Sequence, residues 1–143
     1  MPVSVENTSV PLHLMKIEHT AYQVEDPAAF ARWYVDHLGM TVKRAQDVPP
    51  FGQFLSDDGD AVMLEVYCNP RVVTPDYRAM DPLVLHLAFR TDDVAATRAR
   101  LLAAGATAVG EVQDTPAGDV VAMLRDPWGM AVQLVRRQTP MIP

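Results

Sequence analysis

Leu83-Val-Leu-His-Leu-Ala-Phe-Arg-Thr91 reads as a strand with a histidine on the wrong face. Alternation with period two puts Leu83, Leu85, Leu87 and Phe89 on one side and Val84, His86, Ala88 and Arg90 on the other. The imidazole of His86 therefore looks away from the main apolar layer. An earlier stretch, Lys16-Ile-Glu-His-Thr-Ala-Tyr-Gln-Val24, repeats the arrangement. His19, like His86, is followed by x-Ala-aromatic and then by an acidic pair that opens a helix. The two stretches read as copies of one unit.

Outward from each histidine the same elements follow in the same order. After a first strand over 15–24, Asp26-Pro27 supplies an N-cap and a proline at the first helical position, and the stripe Phe30, Trp33, Tyr34, Leu38 stops at Gly39. Strands are expected over 41–46, 51–56 and 61–68, the last two joined by the tight turn Asp57-Asp-Gly-Asp60. In the second copy Asp92-Asp93 cap a helix with the stripe Val94, Thr97, Leu101, Ala104, stopping at Gly105. Strands over 106–112, 119–124 and 130–136 come next, with Asp126-Pro-Trp-Gly129 as a type I turn. Between the copies, Pro70, Pro75 and Pro82 among polar residues make 69–82 a connector. The expected organisation is an N-terminal extension 1–14, one α+β domain over 15–137 made of modules 15–68 and 83–137, and a tail 138–143.

Spacing then groups four residues. Forty-six positions separate His19 from Glu65 and forty-seven separate His86 from Gln133, so each module carries a histidine on its first strand and an oxygen-bearing side chain on its last. Each lies opposite its strand's apolar stripe. If the helices cover the stripes, two imidazoles, a carboxylate and a carboxamide project into a shared concavity suited to a divalent metal ion. Taken singly, each has an ordinary reading: a hydrogen-bonded strand histidine, a solvated glutamate, a surface glutamine. The matched spacing and facing favour the ligand reading.

Composition narrows the partners. A net charge of −6, with no basic cluster beyond Arg136-Arg137, argues against nucleic acid and anionic membrane surfaces and leaves a small molecule or another protein. The one cysteine, Cys68, permits no internal disulfide, which fits a cytoplasmic location, and it falls on the buried parity of its strand. No window approaches the ~18 apolar residues of a membrane span. Ser4 and Ser56 lack a histidine and acid at recognisable offsets, and Gly105 and Gly110 form no phosphate cradle. His13 reads as a solvated residue and His37 as a helix-surface one. Arg90, sharing the parity of His86, reads equally as a holder of a substrate anion and as a surface ion-pair partner; Arg71 and Arg78 are weaker candidates of the same kind.

The pattern resembles the vicinal oxygen chelate superfamily, which includes glyoxalase I, methylmalonyl-CoA epimerase, extradiol dioxygenases, fosfomycin-resistance enzymes and bleomycin-binding proteins. Its carriers are His19-Thr-Ala-Tyr-Gln-Val-Glu-Asp-Pro27, Trp33-Tyr34 with Leu38-Gly39-Met40, Ala61-Val-Met-Leu-Glu65, His86-Leu-Ala-Phe with Asp92-Asp93-Val94, and Arg125-Asp-Pro-Trp-Gly129 leading into Gln133. The resemblance implies paired βαβββ modules forming a cup-shaped mixed sheet, a homodimer, and a divalent ion (Zn, Ni, Co, Mn or Fe) held by His19, Glu65, His86 and Gln133. It also aligns Gln23 and Pro82 with two arginines that help hold glutathione in glyoxalase I, and Asn69 with a glutathione-contacting asparagine. Gln133 departs from the carboxylate usual in metal-using relatives, keeping an oxygen donor that accepts no proton near neutral pH.

Three functions stay open. The first is a metal-dependent isomerase, epimerase or lyase acting on a small α-hydroxycarbonyl or similar chelating substrate through an enediolate, with Glu65 as base. The second is an Fe(II) ring-cleaving dioxygenase using His19, His86 and Glu65. The third is a non-catalytic binding protein for a drug or metabolite.

Overall fold

Each half of the chain opens with a short strand at the outer edge of its own sheet. In the computed structural model, which describes residues 13–143, the first half runs β1 (His19–Gln23), α1 (Pro27–Leu38), β2 (Thr41–Ala45), β3 (Gln53–Ser56) and β4 (Met63–Tyr67). The second runs β5 (Leu87–Arg90), α2 (Val94–Ala103), β6 (Thr107–Asp114), β7 (Val120–Arg125) and β8 (Ala131–Arg136). The sheet orders are β1-β4-β3-β2 and β5-β8-β7-β6; the first strand pairs in parallel with the last, and the other pairings are antiparallel. This is the expected α+β arrangement of two βαβββ modules. Most of the proposed N-terminal extension lies outside the described residues.

The helices begin and end where their local chemistry directs. Asp26 accepts from the Ala29 amide at 3.0 Å ahead of Pro27, and Gly39 takes the left-handed conformation (φ 70°) that closes α1. Asp93 does the same for α2, accepting from Ala96 at 2.9 Å. One face of each sheet is buried under its helix: Phe30 and Tyr34 pack with Leu55, Leu64 and Val66, and Val94 and Leu101 with Leu124, Val132 and Leu134. Fully burying a side chain of this size contributes about 1.5–3 kcal/mol. The other face of each sheet is left uncovered by the helices.

The modules are joined by a reciprocal pair of caps. The Trp33 indole of α1 donates to the Ala104 carbonyl at the end of α2 (2.9 Å), and the Arg100 guanidinium of α2 donates to the His37 carbonyl at the end of α1 (2.6 Å). Both donors stand fourteen residues beyond their module's histidine and both acceptors eighteen, so the contact obeys the internal repeat. Tyr34 Oη donates to Asp126 Oδ2 at 2.8 Å beside it, and Phe30 meets Trp128 at 5.6 Å between ring centroids.

The first strands are shorter than their sequence pattern. Residues 83–86 precede β5: the Asp81 carboxylate accepts from the Leu83 amide (2.8 Å) and its carbonyl from the Val84 amide (2.9 Å), so Asp81-Pro82 folds the chain into a turn. Leu83, expected on the buried face, is 84% exposed, and His86 sits one residue before the strand. In the first module the strand likewise begins at His19 and not at Met15. The connector holds a 3₁₀ turn at Tyr77–Ala79, anchored by Tyr77 Oη donating to the Gln23 carbonyl (2.6 Å) and by Arg125 donating to the carbonyls of Tyr77 and Met80 (both 2.9 Å).

Candidate functional site

Sheet pairing sets the site's geometry. On the uncovered face of the first sheet, Ala21 pairs with Glu65, Glu65 with Phe54 and Phe54 with Arg44, making one row across four strands, with His19 two residues before Ala21. His19 Nε2 lies 3.2 Å from Glu65 Oε2. Its Nδ1 is 3.0 Å from Glu18 Oε1, and the ring meets Phe54 edge-on at 5.9 Å. Arg44 Cζ stands 5.8 Å from the Phe54 ring centroid.

The second sheet repeats the row with different side chains. Ala88 pairs with Gln133, Gln133 with Met123 and Met123 with Val109, and His86 again stands two residues before the alanine. His86 Nδ1 lies 2.8 Å from the Pro82 carbonyl. Gln133 lines a cavity of about 430 Å³ together with Pro82, Val109, Glu111, Val121 and Met123. The equivalence read from spacing is thus one of register at the alanines: each histidine stands two residues before the alanine paired with its module's oxygen donor, His19 inside β1 and His86 just ahead of β5. One row carries a carboxylate, an aromatic ring and a cation, whereas the other carries an amide and apolar side chains.

Within one chain, the structure brings His19 to Glu65. Among the described residues no three His, Cys, Asp or Glu side chains gather in a cluster able to hold a metal ion, so His86 does not join that pair. The two half-sets fit a metal all the same. Glu18 and Pro82 each set an oxygen against Nδ1 of His19 and His86, an arrangement that directs Nε2 toward an ion, and His19 Nε2 already faces a second donor, Glu65 Oε2, at 3.2 Å. With Glu65 and Gln133 the donors are two nitrogens and two oxygens, a set suited to Zn, Ni, Co, Mn or Fe.

Other candidates have different occupations. Gln23, only 9% exposed, donates to the Asn69 carbonyl (3.1 Å) and accepts from the Asn69 amide (2.8 Å), so its carboxamide holds the connector. Asn69 Oδ1 accepts from the Arg71 amide at 3.0 Å. Arg90 is exposed on the parity of His86 and donates to the Ile142 carbonyl at 3.3 Å. Cys68 is half-buried. Glu18, Arg44 and Phe54 escaped the sequence reading. Parity along β3 could have placed Phe54 beside Glu65, but Arg44 required the register shift between Val42 and Arg44.

Such a fold defines a paired-module protein, two βαβββ units each with a histidine and an oxygen donor on the face its helix leaves uncovered. The chain belongs to the Glyoxalase/Bleomycin resistance protein/Dioxygenase superfamily, whose pattern matches residues 16–134. Among solved structures it is similar to SMU.1112c (29% identity, TM-score 0.68, covering 87% of this chain and 100% of that one). It is also similar to a glyoxalase I variant from Zea mays (26%, TM-score 0.68), covering 87% of this chain and 47% of that longer one. TnmS3, an antibiotic binding protein from Streptomyces sp. CB03234, shares the fold at 24% identity and a TM-score of 0.67, over 87% of this chain and 97% of that one. No curated protein matches in sequence.

Proposed function

We propose that the protein is a metal-dependent isomerase, epimerase or lyase of the glyoxalase type, acting on a small α-hydroxycarbonyl or similar chelating substrate. Its site is assembled from His19 and Glu65 of one copy and His86 and Gln133 of a second. The observation that carries the reading is the matched pair of histidines, each with Nδ1 facing an oxygen and each two residues before an alanine paired with an oxygen donor. Assembly between two copies is supported by β1 and β5 both being edge strands, with exposed apolar residues leading into them: Ile17 is 68% exposed and Val84 73%.

When bound, the ion supplies Lewis acidity toward two chelating substrate oxygens and acidifies the adjacent C–H. Glu65 is the base: of the four donors it alone takes a carbon-bound proton near neutral pH and returns it to the neighbouring carbon of the enediolate. Phe54 walls one side of that carboxylate, and the Arg44 guanidinium along the same row offers positive charge to an anionic substrate. Gln133 contributes an oxygen without a charge, so the donor set carries one negative charge fewer than a two-carboxylate site.

Metal analysis of freshly purified protein, then a screen of hydroxycarbonyl substrates with the ion found, tests the reading. Glu65→Gln is expected to abolish turnover while part of the metal remains bound, and turnover at the wild-type level in that variant rules out the role. A dioxygenase would instead take up oxygen with iron and a catechol. The apolar lining around Gln133 supports a second reading, a binding protein for a drug or metabolite. That reading requires no stoichiometric metal and unchanged ligand affinity after His86→Ala.

A further inference from the structure

A second cavity, of about 520 Å³, lies apart from both rows of the candidate centre, where the connector meets the start of α1 and the Asp126–Gly129 turn. None of the four candidate ligands lines it. Its volume lies within the range of small-molecule sites, and junctions between units are where such sites form. The frame is fixed on both sides: Tyr77 Oη is bonded to the Gln23 carbonyl in the first module, and Arg125 fastens the 3₁₀ turn to the second.

The lining has a distinct chemistry. Trp128, Val73, Pro75 and Pro127 give it an apolar wall with one partly exposed aromatic ring, behind which Phe30 and Met130 are buried, and Glu25, Asp76 and Arg78 bring charge. The Arg78 guanidinium is engaged on the Pro127 carbonyl. Asp76 uses Oδ1 to accept from the Arg78 amide, which leaves Oδ2, and among the described residues the Glu25 carboxylate makes no hydrogen bond or ion pair. The Pro127 carbonyl is neutral, so Arg78 keeps its charge, and the lining sets two carboxylates, with oxygens that among the described residues take no hydrogen bond, against one guanidinium, an excess of negative charge beside the Trp128 ring, whose face attracts cations. A protein of net charge −6 adds a field of the same sign. We infer that this cavity is a second small-molecule site, for an organic amine whose ring lies against Trp128 and whose ammonium is held by Glu25 and Asp76.

The test uses the full chain and three isosteres: 2-phenylethylamine, neutral 2-phenylethanol and anionic phenylacetate. Calorimetric titration, with tryptophan fluorescence as a second readout through Trp128, should show saturable binding of the amine at about millimolar or tighter. Binding of the other two should be at least about tenfold weaker, the factor given by 1.4 kcal/mol of charge interaction. Glu25→Gln and Asp76→Asn should each weaken the amine severalfold; the asparagine keeps the oxygen that caps the 3₁₀ turn, and Glu25 is exposed, so both variants fold. His19→Ala should leave amine binding unchanged. The inference is overturned by absence of saturable binding, by equal affinity for amine and alcohol, or by binding lost in His19→Ala but kept in both carboxylate variants. The last result would put the amine in the candidate metal centre.

Discussion

Asp126 carries more of the structure than its place in a turn suggests. Only 1% exposed, it accepts from Tyr34 Oη (2.8 Å) and from the Trp128 and Met130 amides (both 2.9 Å), tying the turn to the helix of the other module. Asp126→Ala leaves those three donors without an acceptor, at a cost of about 3 kcal/mol or more measurable by urea denaturation. Burial raises the Asp126 pKa from the ordinary carboxylate value, against hydrogen bonds from Tyr34 and the turn amides that lower it. A folded-state pKa above the unfolded one means stability that is full below about pH 4 and is withdrawn as pH rises through the raised value. The stability gap between wild type and Asp126→Asn should therefore shrink from acid to neutral pH, and a gap that widens contradicts the assignment. Glu18 poses a smaller question of the same kind. As the carboxylate behind His19 Nδ1, its replacement by alanine should weaken metal binding about tenfold or more, read by competition with a chelator.

At the scale of elements, the caps that join α1 to α2 are the feature most open to test. Trp33→Phe and Arg100→Met each remove one donor to a helix-terminal carbonyl, and each should lower stability by about 1–2 kcal/mol in urea titrations. Unchanged midpoints in both would mean that the modules hold together by packing alone. These contacts also mark where sequence reading stops. Asp26, Pro27, Gly39 and Asp93 announce helix ends within a few residues, and the alternation in β4 and β8 sorts buried from open faces, because those signals are local. Trp33 reads correctly as part of an apolar stripe, but its N–H finds its acceptor 71 residues away, which no local pattern encodes. The start of β5 is misread for a physical reason. The alternation Leu83-Val-Leu-His suits a strand, yet Asp81 captures the amides of Leu83 and Val84 and turns the chain first. The bonds of Gln23 to the Asn69 backbone, 46 residues on, which hold the connector, are likewise beyond any local pattern.

At the scale of the molecule, the duplicated half-unit explains both what one chain holds and what it lacks. His19 and Glu65 meet, and His86 and Gln133 repeat their register on the other sheet, but no three metal-binding side chains gather among the described residues. The internal repeat that spacing revealed is therefore real in the backbone; how the halves combine depends on a surface that one sequence does not specify. If a second copy supplies the missing half, two defective chains can repair one another. Co-produced His19→Ala and His86→Ala chains, isolated as a mixed dimer, should bind one divalent ion per two chains, whereas each variant alone binds none tightly. A mixed dimer as empty as its parents contradicts a centre shared between copies.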